Sequence, residues 1–104
     1  NPQSGGSNTS AKVGRMVKNG GQIWGGSWIG LAAPIDFSTK KTFKVKVFSP
    51  RVGAKLLLKV EGAAGVVPFE REVVGTVANG WEEMTFDYQA VSTTTVMATY
   101  TVGL

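Results

Sequence analysis

The side chains that could do chemistry in this 104-residue chain are its carboxylates and its tryptophans. The chain contains no His and no Cys. This composition excludes catalysis of the Ser-His-Asp and Cys-His types, and it excludes the usual zinc sites. An enzyme built from this sequence would therefore have to rely on carboxylate chemistry.

The carboxylates allow one catalytic interpretation, which is glycoside hydrolysis by two carboxyl groups roughly 5 to 9.5 Å apart. Glu70 and Glu72 share one face of a predicted strand at a spacing of about 7 Å, and Glu61 and Asp87 could join them across strands. Basic neighbours such as Lys59 offer each acid an ion-pair partner, and paired surface charges are the ordinary role of such residues. We therefore expect no enzymatic activity from this domain.

Tryptophan and glycine are concentrated in the segment 20–31, GGQIWGGSWIGL. If this segment is a strand, Trp24 and Trp28 lie on one face, and Ile29 and Leu31 lie on the other. An aromatic ring beside glycine is open to stacking on the flat face of a sugar, whose hydroxyls need polar side chains within reach. The candidate carbohydrate-binding residues are Gln22, Trp24, Trp28, Lys59, Glu61, Arg71 and Asp87. The alternative is that both Trp are core residues, because Trp is usually largely buried.

The elements that must position these residues are short strands, and no segment has a convincing helical period. We interpret residues 1–11 as a loop or frayed terminus and residues 12–104 as a single β-sandwich domain. Turn signals every 8–12 residues favour an antiparallel all-β sandwich of about seven strands. Trp81 follows a turn, and we expect it to cover one end of the core. The predicted strands are 12–18, 20–31, 42–48, 55–61, 68–77, 81–88 and one around 96–102.

Charge and hydropathy limit the partners that we expect. The net charge of +4 is mild and its basic residues are dispersed, which predicts neither nucleic-acid nor membrane binding. No apolar run approaches the ~20 residues of a membrane span, and no signal peptide is visible at Asn1. Asp36, Asn79 and Asp87 are oxygen ligands in or near loops, but no compact acidic loop is present. We therefore expect no cofactor, with only weak support for a structural calcium ion.

Several stretches resemble, in the same order, the non-catalytic jelly-roll modules attached to laminarinases and related glycoside hydrolases of marine bacteria. They are AKVGRMVKNGGQIWGGSWIGL, PIDFSTKKTFKVKVFSPRVGAKLLLKVEG and TVANGWEEMTFDY. The resemblance covers roughly residues 8–90 and implies a galactose-binding-like sandwich that binds carbohydrate outside the cell or at its surface. The catalytic E-x-D-x-x-E strand of family 16 laminarinases does not occur here, so the resemblance is to the accessory module.

The chain departs from these modules at both ends. Their first strand carries Phe-Glu and their last strand carries paired Asp, whereas this sequence starts at Asn1-Pro2 and stops at Gly103-Leu104. We expect a sandwich without these strands, either a fragment of a larger protein or a domain that pairs with a second copy through an exposed sheet edge. Our leading hypothesis is a carbohydrate-binding module for a β-glucan such as laminarin. The alternative is a structural or adhesion domain of a surface or virion protein without a sugar site.

Overall fold

The computed structural model describes residues 1–17, 19–20, 25–62, 68–91 and 101–103. This part of the chain contains six strands and no helix. The strands are β1 (Trp28–Gly30), β2 (Thr42–Ser49), β3 (Lys55–Glu61), β4 (Phe69–Val74), β5 (Gly80–Asp87) and β6 (Thr101–Gly103). They form a four-stranded sheet in the order β1-β6-β3-β4 and a two-stranded sheet of β2 and β5, all antiparallel. The predicted all-β, antiparallel class is confirmed.

The two-stranded sheet follows directly from sequence alternation. Phe43, Val45 and Val47 lie on the inner face of β2, whereas Lys44 and Lys46 lie on the exposed outer face. Strand β5 pairs with β2 over all eight residues, from Thr42 opposite Asp87 to Ser49 opposite Gly80. Because side chains alternate along a strand, directly opposed residues share a face. The apolar rows of the two strands therefore meet on the same side.

The four-stranded sheet has the same division of faces. In β3, Leu56, Leu58 and Val60 face the core, and Lys59 and Glu61 face outward. The chain crosses from β2 to β3 through a turn at residues 50–54, in which Gly53 has a φ of 86°, a conformation that favours glycine. It crosses back from β4 to β5 through residues 75–79.

The core lies where the inner faces of the two sheets meet, and Tyr88 is at its centre. The Tyr88 ring is fully buried, and its hydroxyl donates a hydrogen bond to the Leu58 carbonyl of β3. Ring centroids of Phe43, Phe69 and Phe37 lie 4.8, 5.0 and 6.1 Å from that of Tyr88. Tyr88 therefore connects the end of β5 with the four-stranded sheet. The buried apolar residues are Phe37, Leu58, Val60, Met84, Phe86, Tyr88 and Val91.

Two of the predicted strands require correction. Residues 12–17 are irregular and exposed, and they pair with no strand in the described part of the chain. The physical reason is that the alternation in this segment produces no apolar face, because Arg15 lies between Val13 and Val17. In the described part of the predicted strand at 20–31, only Trp28–Gly30 is a strand, since Gly25–Ser27 is irregular. The first half of that prediction falls on residues 21–24, which lie outside the described residues.

The first eleven residues form a loop held by its own hydrogen bonds. The Asn1 side chain donates from Nδ2 to the Ser10 carbonyl at 2.9 Å and accepts at Oδ1 from the Gln3 amide at 3.0 Å. Gly5 and Asn8 exchange two backbone hydrogen bonds of 3.0 Å, and Asn8 is buried. These contacts within residues 1–11 hold the shape of the loop.

Candidate functional site

The central feature of the site is a row of residues that crosses the four-stranded sheet. Trp28 of β1 is opposite Gly103 of β6, Gly103 is opposite Lys59 of β3, and Lys59 is opposite Glu70 of β4. Directly opposed residues share a face, so Trp28, Lys59 and Glu70 all lie on the outer face. Two strand spacings separate Trp28 from Lys59, which is about 9–10 Å between their backbones. We name Trp28, Lys59, Glu61 and Glu70 the Trp28 face.

Trp28 is exposed because its neighbours on this face have no side chains. The residue is 73% exposed. Its cross-strand partner is Gly103, and the next residue on the same face of β1 is Gly30, where an added Cβ would meet nothing within 4 Å. The indole ring therefore stands beside open sheet surface, as a ring must if it is to stack on a flat ligand.

The polar half of the Trp28 face is an ion pair. Lys59 Nζ lies 2.9 Å from Glu61 Oε1, and these residues are two positions apart on one strand face. The hydrogen bond to Glu61, then its charge, and then the charge of Glu70, raise the pKa of Lys59 above its ordinary value. The ammonium therefore stays protonated in neutral solution. Lys59 supplies donors and the two acids supply acceptors, which are the groups that a ring of sugar hydroxyls requires.

The structure places two other candidate residues, Arg71 and Asp87, away from this face. Arg71 is opposite Leu58 and therefore shares the inner face of β4. Its guanidinium lies 4.1 Å from the centre of the Phe69 ring, and its Nη1 donates to the Glu70 carbonyl at 3.0 Å. Arg71 thus makes a cation–π contact with Phe69, which packs against the core. Asp87 lies on the exposed outer face of the two-stranded sheet, where it accepts a hydrogen bond from the Gln89 amide.

Gln22 and Trp24 lie outside the described residues. Of the seven candidates, the structure brings together Trp28, Lys59 and Glu61. It adds Glu70, which sequence analysis considered only as an acid for catalysis. The position of Glu70 on this face follows from the pairing of β3 with β4, because the register of that pair sets Glu70 beside Lys59. Gly103 was also missed, although a glycine within a strand can mark a place where a ligand approaches closely.

Trp81 belongs to a different surface, and its environment is structural. Its ring meets Phe48 edge-on at a centroid distance of 5.6 Å, and the residue is half-buried. The indole Nε1 donates to the Gln3 carbonyl at 2.7 Å, while Lys46 Nζ donates to the Ser7 carbonyl at 2.5 Å. The amino-terminal loop is thereby fastened over one end of the two-stranded sheet. Trp81 therefore has a structural role, but it lies on the outer face of β5 opposite Phe48 and holds the loop there, so the expectation that it covers an end of the core is wrong.

The carboxylates of the described part form no cluster that could hold a metal ion. No three acidic side chains within that part lie close enough to hold a metal ion. Glu72 lies 3.8 Å from Lys55, and Glu83 lies 3.5 Å from Lys44, so both acids have basic neighbours at the surface. Asp87 is on the other sheet and does not join Glu61 and Glu70.

No protein-family model, curated protein or solved structure matches this chain. The resemblance to laminarinase-attached modules therefore stays a prediction, and the functional argument depends on the Trp28 face. Across the described ranges, no helix is long and apolar enough to cross a membrane.

Proposed function

We propose that this domain is a non-catalytic carbohydrate-binding module that holds an attached glycoside hydrolase on a β-glucan such as laminarin. The observation that carries the proposal is the exposed Trp28 ring, which lies beside glycine and shares a sheet face with the Lys59–Glu61 pair. The ring provides a stacking surface for the C–H face of a pyranose. The ion pair and Glu70 provide donors and acceptors for its hydroxyls.

The finer fold assignment belongs to the same proposal. Two antiparallel sheets with a shared core are compatible with a galactose-binding-like jelly roll, the fold that the sequence resemblance implies. An extracellular or cell-surface location follows from the proposed ligand, because polysaccharide of this kind is met outside the cell.

A structural or adhesion domain without a sugar site is the alternative. That interpretation would gain if both Trp24 and Trp28 were buried, and the exposure of Trp28 favours the binding module. Pairing with a second copy at a sheet edge stays a prediction. The edge strand β4 carries three consecutive charges, Glu70, Arg71 and Glu72, a pattern that disfavours edge-to-edge pairing. Strand β1, at the other side of this sheet as described, lacks such charges.

The experiment is titration of laminarin into the folded protein, followed by calorimetry and by affinity electrophoresis. We expect weak binding, because a shallow face recovers little free energy after the ligand is ordered. Trp28→Ala should lower the affinity about tenfold or more, which corresponds to about 1.4 kcal/mol. Its thermal unfolding should stay close to that of the native sequence, since an exposed side chain contributes little to stability.

Ile29→Ala is the matched control, because Ile29 is the next residue of β1, is similarly exposed and points to the opposite face. This variant should bind laminarin like the native sequence. Unretarded migration of the folded native protein on laminarin and on every other β-glucan tried would refute the proposal. Equal losses in the two variants would remove Trp28 from the binding site.

A further inference from the structure

A groove next to Trp28 has a composition unlike that of the Trp28 face. It has a volume of about 370 Å³, and its described lining consists of Arg15, Met16, Val17, Gly25, Gly26 and Ser27. The groove is shallow and largely open to solvent. Ser27 directly precedes Trp28, so the backbone of the groove ends about 3.8 Å from the backbone of the exposed ring. The groove and the exposed ring are therefore neighbours along the chain.

Arg15 is the cation among the described residues that line this groove, and that lining contains no acid. Its guanidinium makes no ion pair and no hydrogen bond with the residues that the structure describes. The ion-paired lysines behave differently: Lys44, Lys55 and Lys59 each lie within 4.0 Å of a glutamate. The groove therefore has a cationic group whose donors are available, in a chain with a net charge of +4.

The rest of the lining leaves room around that cation. Gly25 and Gly26 have no side chains to fill the groove, and Ser27 offers a small hydroxyl. Met16 is 50% exposed and Val17 is 64% exposed, so apolar surface flanks the guanidinium. The planar guanidinium fork matches a carboxylate or a sulfate, and a charge-assisted hydrogen bond is about twice as strong as a neutral one.

We propose that the groove is a second subsite that takes an acidic sugar unit, carboxylated or sulfated, of a polysaccharide whose neighbouring neutral ring stacks on Trp28. This inference rests on the proposed carbohydrate-binding function and specifies the class of glycan. Arg15 pairs with the anionic group, the glycines let the chain approach the backbone, and Met16 contacts the sugar's apolar face. The module then selects acidic over neutral glucans through a single residue.

The test compares three probes with one backbone: laminarin, carboxymethylated laminarin and sulfated laminarin. The native protein should bind at least one acidic derivative about tenfold more tightly than laminarin at low salt. This preference should fall with added salt, because the screening length shrinks from about 30 Å at 0.01 M to about 3 Å at 1 M. Whichever derivative shows the preference identifies the anionic group.

Two variants separate a specific contact from general charge attraction. Arg15→Gln should abolish the preference and leave laminarin affinity within about twofold. Arg51→Gln removes the same charge from the exposed turn between β2 and β3, outside the groove, and should retain the preference. Equal effects of the two variants would overturn the acidic subsite, as would a native protein that prefers neither derivative. In both cases Trp28-dependent binding of laminarin would leave the proposed function intact, whereas failure of all three probes would end both proposals.

Discussion

The hydroxyl of Tyr88 offers a direct test of how the two sheets are held together. Tyr88→Phe keeps the buried ring and its contacts with Phe37, Phe43 and Phe69, and it removes only the group that donates to the Leu58 carbonyl. A net intramolecular hydrogen bond contributes about 0.5–1.5 kcal/mol, and an unsatisfied buried acceptor costs about 1–3 kcal/mol. We therefore expect the variant to be less stable by about 1–3 kcal/mol at pH 7.

The same hydroxyl predicts how this difference depends on pH. Burial, the largest cause, raises the pKa of Tyr88 from 10.0 to about 12. The folded-state pKa lies above that of the unfolded chain, so the neutral hydroxyl contributes its full stabilisation below about pH 10 and loses it as the pH rises towards 12. Two pKa units correspond to about 2–3 kcal/mol. The stability difference between the native sequence and Tyr88→Phe should therefore shrink by about this amount and approach zero near pH 12.

The assay is urea unfolding followed by circular dichroism at pH 7, 9, 10, 11 and 12, with both proteins in parallel. All other residues are the same in both proteins, so their contribution cancels in the difference. Thr85→Ala, at an exposed position of β5, is the control and should stay within about 0.5 kcal/mol of the native sequence. A difference below about 0.5 kcal/mol at pH 7 would contradict the role of the hydrogen bond. A difference that is the same at pH 9 and pH 12 would contradict the effect of burial on the pKa.

Two further predictions concern polar contacts of β5 residues. Glu82 accepts hydrogen bonds from the Thr76 amide and hydroxyl, which lower its pKa, so its contribution is present above about pH 4.5 and is lost as the pH falls below that value. Thermal unfolding from pH 7 to pH 3 should show a smaller acid loss for Glu82→Gln than for the native sequence, and parallel curves would contradict this prediction. Trp81→Phe keeps an aromatic ring beside Phe48 and removes the hydrogen bond to the Gln3 carbonyl, so limited proteolysis should cleave residues 1–11 several-fold faster. Unchanged cleavage would show that the loop is held by other contacts.

The local sequence pattern was sufficient to predict the bounds of several strands. Strands β2, β3 and β5 lie within one residue of their predicted bounds, because period-2 alternation of apolar and charged residues is a local property that one buried face enforces. The same reasoning failed at residues 12–17, where the alternation places Arg15 between two valines and leaves no face to bury. The predicted strand at 20–31 was too long in its described part. Gly25 and Gly26 provide no side chains to pack, and the described strand begins only at Trp28.

The candidate site was predictable only in part. The sequence identified Trp28 as an aromatic residue beside glycine, and it identified Lys59 and Glu61 as polar residues on one strand face. It could not decide whether Trp28 was exposed, because burial depends on which strands lie beside β1. It also grouped Arg71 and Asp87 with these residues, whereas the structure places Arg71 over Phe69 and Asp87 on the other sheet.

What the sequence by itself determined is therefore the chemistry available: no His or Cys, several short amphipathic strands, and tryptophan beside glycine. The tertiary structure decided which of these groups meet. Trp28, Gly103, Lys59 and Glu70 come from four different strands, and they form one row only because of the register of three antiparallel ladders. Register is fixed by the joint burial of many side chains, and a shift of one residue in a ladder would send a whole strand's outer residues to the inner face.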